Sequence, residues 1–284
     1  MMAFDASEFR RDSLERWERA ASGWGRHRAA MQRAAQPVST WMIDAIGPQP
    51  GHRVLELAAG PGDTGLLAAE LIAPGGGLIS SDSSEAMVAQ ARARAEELGI
   101  TNVEFATIDA EWIDLPTASL DGVLCRWGYM LLADPATALG ETRRVLRPGG
   151  RVALAAWTNP DDNPWISVAR QELAKIASLP PPDPEEPGMF AFGEPERIEA
   201  LLNDAGFTEV QIEQVDIVFQ FDDLDAWWDT QLEVSATLGD LVGALTPAQR
   251  DDLRDAIDAR LAVYVADDGS AALPGRTHVA AATA

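Results

Sequence analysis

Hydrophobic positions fall into two alternating periods along the middle of this chain, and into a third, looser pattern after it. Over 7–35, Leu14, Trp17, Trp24 and Met31 recur at roughly helical spacing among arginines and glutamates, which predicts an amphipathic helix. Gly23 and Gly25 are expected to interrupt it. Pro37 is expected to separate it from a second short helix, 38–46, that stops at Gly47-Pro48. Short apolar runs follow at 53–58, 78–81, 103–108, 120–126 and 151–157, each reading as a strand. Between them 62–73, 84–98 and 135–146 carry helical spacing, with Ser84 as N-cap and Gly99 as the stop of the second. Strands alternating with helices predict a parallel α/β sheet covered on both faces.

Beyond residue 158 the alternation breaks down. Prolines 160, 164, 180, 181, 182, 184, 187 and 195 leave room for a short helix, 165–178, followed by a stiff loop. A helix at 198–205 ends at Gly206, 207–221 is β-rich, 224–265 is mostly helical, and 277–283 is a short apolar run. The expected organisation is an N-terminal helical cap (1–47), a core (48–158), a loop and helix insertion that completes the sheet (159–221), a second helical cap (222–265) and a C-terminal strand (266–284).

The most informative stretch is Val54-Leu55-Glu56-Leu57-Ala58-Ala59-Gly60-Pro61-Gly62-Asp63-Thr64-Gly65. A strand runs into a glycine turn that opens a helix. Small residues let a ligand approach the backbone, and the helix N-terminus offers unpaired N–H groups. Gly60, Gly62 and Gly65 also satisfy G-x-G-x-x-G, a weak signal alone. Acids at three successive strand ends strengthen it: Glu56 before the glycines, Asp82 after the second strand and Asp109 after the third. An acid at the second position can accept both hydroxyls of a ribose, and one at the third can accept from an adenine amino group.

These landmarks resemble the class I S-adenosylmethionine (SAM)-dependent methyltransferases, in particular the small-molecule branch that includes quinone C-methyltransferases. The glycine segment resembles that family's first motif. Ser81-Asp82-Ser83-Ser84-Glu85-Ala86-Met87 resembles its second-strand motif, and Ile108-Asp109-Ala110-Glu111 with Leu115-Pro116 its third. Leu120-Asp121-Gly122-Val123 resembles the entry to its fourth strand, and Arg147-Pro148-Gly149-Gly150 the turn before its fifth. The likeness covers about 50–157 strongly and the rest in outline. It implies a Rossmann-like, doubly wound, mostly parallel seven-stranded sheet with an antiparallel C-terminal strand and a helical cap. It also implies SAM as cofactor and S-adenosylhomocysteine (SAH) as product. Glu56 and the turn Ala58–Gly62 would hold the amino-acid end of SAM. Asp82 and Ser83 would take the ribose, Met87 the adenine face, and Asp109 with Ala110 the adenine edge. Ala58 stands where the family more often has glycine, which alanine tolerates as long as φ is negative.

Charge narrows the substrate class. Forty-five acids against 22 bases give a net charge of -23, which repels phosphate backbones and anionic lipid headgroups, so nucleic acid and membranes are not expected partners. No apolar run approaches the roughly 20 residues of a membrane span, and Met1–Glu8 lacks the pattern of a secretory signal. A single cysteine, Cys125, excludes a disulfide or a cysteine-based zinc site within one chain and suits a cytoplasmic enzyme. The expected partner is a small, apolar or aromatic methyl acceptor; oligomeric state is not legible.

Methyl transfer asks the protein mainly for alignment and exclusion of water, and for a base only when the acceptor carries a proton of high pKa. The base candidates are His27, in the N-terminal helix, and Tyr129, after the fourth strand. Trp127 is expected to shape the acceptor pocket with Tyr129, and Arg126 to touch the cofactor or an anionic acceptor. His52 lies at the amino end of the first strand, and His278 and Cys125 read as packing. Trp227 and Trp228 read as the core of a cap. Two alternatives remain at this stage: a nicotinamide-dependent oxidoreductase, which shares the glycine fingerprint, and a SAM-binding protein without turnover.

Overall fold

A computed structural model describes residues 4–179 and 186–284; prolines 180, 181, 182 and 184 of the expected stiff loop lie outside them. The chain opens with one helix where two were expected. Helix α1 (Ala6–Ile46) runs through Gly23, Gly25 and Pro37. Asp5 caps it by accepting from the amides of Ser7 and Glu8, and Gly47 ends it at φ +58°. The glycines serve close packing instead of interruption. A β-carbon on Gly23 would lie 2.1 Å from the Glu233 carbonyl oxygen, and one on Gly25 would lie 2.3 Å from the Gln90 side chain. Pro37 is flanked by Val38, Ser39, Met42 and Ile43, all buried. Their burial holds the helix across a residue that costs about 3 kcal/mol in isolation.

The alternating region folds as the pattern predicts: β1 (Arg53–Glu56), α2 (Asp63–Ile72), β2 (Gly77–Asp82), α3 (Glu85–Leu98), β3 (Val103–Thr107), β4 (Leu120–Arg126), α4 (Pro135–Val145) and β5 (Leu146–Trp157). Strand β5 begins five residues earlier than expected, because Arg147-Pro148-Gly149-Gly150 is carried in the sheet as an irregularity. Then come α5 (Pro164–Ile176), α6 (Pro195–Asp204), β6 (Thr208–Phe221), α7 (Leu224–Val234), α8 (Ala236–Gly243), α9 (Pro247–Leu261) and β7 (Ala271–Thr283). The last strand starts at 271 instead of 277, since its first half pairs with β6.

The seven strands form one sheet in the order β3-β2-β1-β4-β5-β7-β6. Only β7 runs antiparallel to its neighbours. The sequence of strands reverses at β1 and β4, and the crevice outside their carboxyl ends is where open α/β sheets bind ligands. Leu55, Leu78, Val123, Leu124 and Val152 fill the core beneath it. The second half of α1 packs on the sheet, and its first half packs on α3, α7 and α8. Among the described residues no helix is long and apolar enough to cross a membrane.

Candidate cofactor site at the carboxyl edge of the sheet

The turn after β1 is held in left-handed backbone at three points: Ala58 (φ +49°), Gly60 (φ +53°) and Gly62 (φ +84°). The condition under which alanine is harmless at 58 is therefore not met. An L-residue in this region costs roughly 1–2 kcal/mol, which the surroundings must overcome. They do so by stitching the turn to both neighbouring strands: the Leu57 amide donates to the Leu124 carbonyl at 2.8 Å and the Ala59 amide to the Ser81 carbonyl at 2.9 Å. Ala58 is exposed, and a β-carbon on Gly60 would meet nothing within 4 Å. The turn thus presents bare backbone to open space.

Glu56 lies beneath that turn, 3% exposed. Its Oε1 accepts from the Gly65 amide at 2.7 Å and its Oε2 from Ser80 Oγ at 3.3 Å. Burial pushes its carboxyl up to about 7, against the opposing pull of the Gly65 amide and Arg126. Asp82 locks two loops together. Its Oδ2 accepts from the Gly60 amide at 2.9 Å and its Oδ1 from the Ser84 amide at 3.0 Å. Burial raises its pKa, and these amide bonds oppose the rise. Ser84 caps α3 through the Met87 amide. Ser83 is exposed, and Met87 is buried. Asp109 is exposed after β3 and accepts from the Glu111 amide at 2.9 Å, with Ala110 buried beside it. The structure therefore brings Glu56, Ala58, Gly60, Gly62, Asp82, Ser83, Asp109 and Ala110 to one edge of the sheet.

Arg126, at the end of β4, belongs to a charge cluster only partly legible in the sequence. Its Nη2 lies 3.9 Å from Asp63 Oδ2, and Arg28 Nη1 of α1 lies 3.8 Å from Asp63 Oδ1. Asp63 Oδ1 and Arg126 Nη1 are buried and have no hydrogen-bond partner among the described residues. Burial lowers the Arg126 pKa and raises that of Asp63. Such unsatisfied groups cost about 1–3 kcal/mol each when left alone. A zwitterionic, cationic cofactor such as SAM fits this surround: bare turn backbone, acids at three strand ends, and incompletely paired charges of both signs beside them.

Helix α1 reaches over this edge. Arg10 Nε donates to Glu111 Oε2 at 2.8 Å, and Glu111 Oε1 accepts from the Asp134 amide at 3.0 Å. Neither Arg10 nor Glu111 carries a local sequence signal, since they are about a hundred residues apart.

The two base candidates are engaged by other side chains. Tyr129 is 1% exposed, and its hydroxyl lies 2.6 Å from Thr142 Oγ1 on α4. Burial raises its phenol pKa well above the ordinary value, so it stays neutral. His27 is spent between α1 and α7, with Nε2 2.8 Å from Glu233 Oε2 and Nδ1 3.1 Å from Thr230 Oγ1. His52 is at the amino end of β1, 3.7 Å from Asp121. His278 is buried in β7 against the Gly193 carbonyl. Cys125 is enclosed and its thiol is pushed up to about 12.

Trp127 follows Arg126 with φ +59°. Its ring stacks on Trp157 at 4.2 Å, and its Nε1 donates to Thr277 Oγ1 at 3.0 Å. Trp157 packs edgewise on Trp165, which stacks on Phe219 at 3.8 Å. Trp227 is fully buried and donates to the Trp165 carbonyl at 2.9 Å. An aromatic stack therefore runs from half-buried Trp127, just after β4, into the core through Trp157, Trp165 and Phe219.

Residues 48–183 match the family described as a methyltransferase domain. The demethylmenaquinone methyltransferase of Thermus thermophilus is 34% identical over 167 residues, covering 55% of this chain and 74% of that protein. An uncharacterized 37.1 kDa protein in transposon TN4556 of Streptomyces fradiae is 40% identical over 144 residues, covering 48% of this chain but only 40% of the relative. Among solved structures, the YcgJ protein of Bacillus subtilis superimposes with a TM-score of 0.59 at 20% identity, covering 87% of this chain and 98% of the other.

Proposed function

The chain belongs to the class I S-adenosylmethionine-dependent methyltransferases, and from that premise we propose that it methylates a small, apolar or aromatic metabolite. The relatives being methyltransferases, the nicotinamide alternative is set aside. Bound SAM supplies an electrophilic methyl group on a sulfonium sulfur. The residues that would hold it are the turn Ala58–Gly62 with Glu56 and Arg126 at the amino-acid end, Asp82 and Ser83 at the ribose, and Met87, Asp109 and Ala110 around the adenine.

The protein's part is alignment. Asp82 fixes the turn and the start of α3 at once, so the ribose and amino-acid subsites keep one geometry. Arg10 and Glu111 hold the first turns of α1 across the edge, which excludes water from it. No proton transfer is assigned to His27 or Tyr129, because α7 and α4 already engage them.

The observation that carries the acceptor class is the half-buried ring of Trp127 directly after β4, which Trp157 and Trp165 back from the core. Flat apolar surface with few polar groups suits an aromatic or apolar acceptor. The similarity to a demethylmenaquinone methyltransferase, whose named acceptor is a quinone, supports the same class. The first test is thermal unfolding with SAM, SAH and NAD(P) in parallel. Stabilisation by SAM and SAH that disappears in Asp82→Ala is expected. SAH release should then follow with phenols, quinols or terpenoids. Methylation of protein or RNA, with none of small apolar acceptors, would overturn the acceptor class.

A further inference from the structure

One face of α1 meets the cofactor edge at four places. Arg10, Glu18, Gly25 and Arg28 follow one another at spacings of eight, seven and three residues, which puts them within about a quarter turn around the helix. Arg10 holds Glu111, two residues beyond Asp109. Glu18 Oε1 accepts from the Ala86 amide, in the first turn of α3, at 3.4 Å. Gly25 lies against the Gln90 side chain of α3, and Arg28 Nη1 is 3.8 Å from Asp63 Oδ1 at the start of α2. The order along α1 is therefore that of the adenine, ribose and amino-acid subsites assigned above.

Glu18 is the acid on that face. Asp82 Oδ1 accepts from the Ser84 amide, and the Ala86 amide two residues on donates to Glu18. Two carboxylates from distant parts of the chain thus meet at the amino end of α3, which favours negative charge. Glu18 is near enough for its charge to raise the Asp82 pKa. Its side chain is half-buried, and the long bond to Ala86 is its one hydrogen bond among the described residues. No arginine pairs with it there, although Arg10, Arg19 and Arg26 on the same helix each hold an acid. A helix cap needs one acid, and Asp82 and Ser84 already serve α3. A carboxylate accepts up to about four hydrogen bonds. Asp82 has amides on both oxygens and Glu18 has one in all, so both keep capacity for further donors. A ribose offers two adjacent hydroxyls.

We propose that Glu18 completes the ribose subsite from α1, accepting one hydroxyl of the cofactor ribose while Asp82 accepts the other. This rests on the methyltransferase reading and deepens it, since α1 then belongs to the binding site as well as covering it. Two ligand hydroxyls between the carboxylates offset their mutual repulsion with charge-assisted hydrogen bonds. The same pair of acids rejects a ribose phosphorylated at either hydroxyl, because a phosphate would bring further negative charge between them.

The probes are SAM, SAH and the 2′-deoxy and 3′-deoxy counterparts of SAH, titrated calorimetrically into the full chain and into Glu18→Gln. The glutamine keeps the shape and can still accept from Ala86, but it removes the charge. SAH should bind the variant about tenfold more weakly, the difference between a charged and a neutral acceptor. SAM should weaken by the same factor. The deoxy counterpart that lacks the hydroxyl accepted by Glu18 should bind variant and wild type equally, which also shows that the variant is folded. Unchanged SAH affinity overturns the assignment. Equal weakening of SAH and both deoxy counterparts also overturns it and leaves Glu18 as a cap of α3. Weakening of SAM alone overturns it too, and moves Glu18 to the sulfonium. If the wild type binds neither SAM nor SAH, the methyltransferase reading falls and the assignment with it. A wild type that binds them leaves that reading standing however the variant behaves.

Discussion

Gly65 and Glu56 are fitted to each other. The Gly65 amide donates to Glu56 Oε1 at 2.7 Å, and a β-carbon on Gly65 would stand 2.3 Å from Oε2. The third glycine of the fingerprint thus exists to let the first turn of α2 close on a buried acid. Gly65→Ala should displace that acid or the helix. The expected cost is about 1–3 kcal/mol, the usual range for overpacking, together with weaker SAM binding. Chemical denaturation and a SAM titration on the variant check both. Unchanged values would mean that the contact is slack.

The buried Glu56 carboxyl predicts a pH dependence of definite sign. Its value is raised from 4.5 to about 7, so between these pH values the native state binds more protons than the unfolded chain. Its contribution therefore makes stability fall as pH rises from about 4.5 to about 7, by on the order of 3 kcal/mol, and level off above. Glu56→Gln keeps the shape without the titration. The difference in unfolding free energy between variant and wild type should grow across that window. A difference independent of pH would refute the assignment. A cationic amino group of SAM near Glu56 favours its ionised form, so SAM affinity should rise over the same range.

Ala58 offers a test in the opposite direction. Its φ of +49° is comfortable only for glycine. Ala58→Gly should stabilise the protein by about 0.5–1 kcal/mol, the relief of left-handed strain less the added freedom of the unfolded chain. A lower melting temperature in the variant would show that the alanine methyl makes a compensating contact.

Arg10 is 40% exposed at its side chain while its partner Glu111 is 7% exposed. Arg10→Ala should cost about 1–3 kcal/mol of global stability, because it leaves the buried Glu111 carboxylate without its ion pair. It should also loosen the start of α1 over the cofactor edge. A faster SAH dissociation rate is the expected signature, measurable by stopped-flow displacement. Equal rates in variant and wild type would remove α1 from any covering role.

The sequence alone determined whatever is written in neighbouring residues. Alternating strand and helix periods gave the parallel core, and Glu56, the glycine turn, Asp82 and Asp109 were legible because each lies at the end of its own apolar run. A β-strand end and the turn after it are local features, and side-chain period and turn chemistry are local physics. Tertiary structure decided what depends on partners far along the chain. Pro37 does not break α1, because the sheet buries the residues around it, and Gly23 and Gly25 do not interrupt it, because α7 and the Gln90 side chain press on them. His27 and Tyr129 carried the right chemistry, but Glu233, Thr230 and Thr142 engage them. The Arg10–Glu111 pair and the charges around Asp63 exist only after folding. Their free energies depend on distance and lost water, and both are set by which helices come to lie side by side.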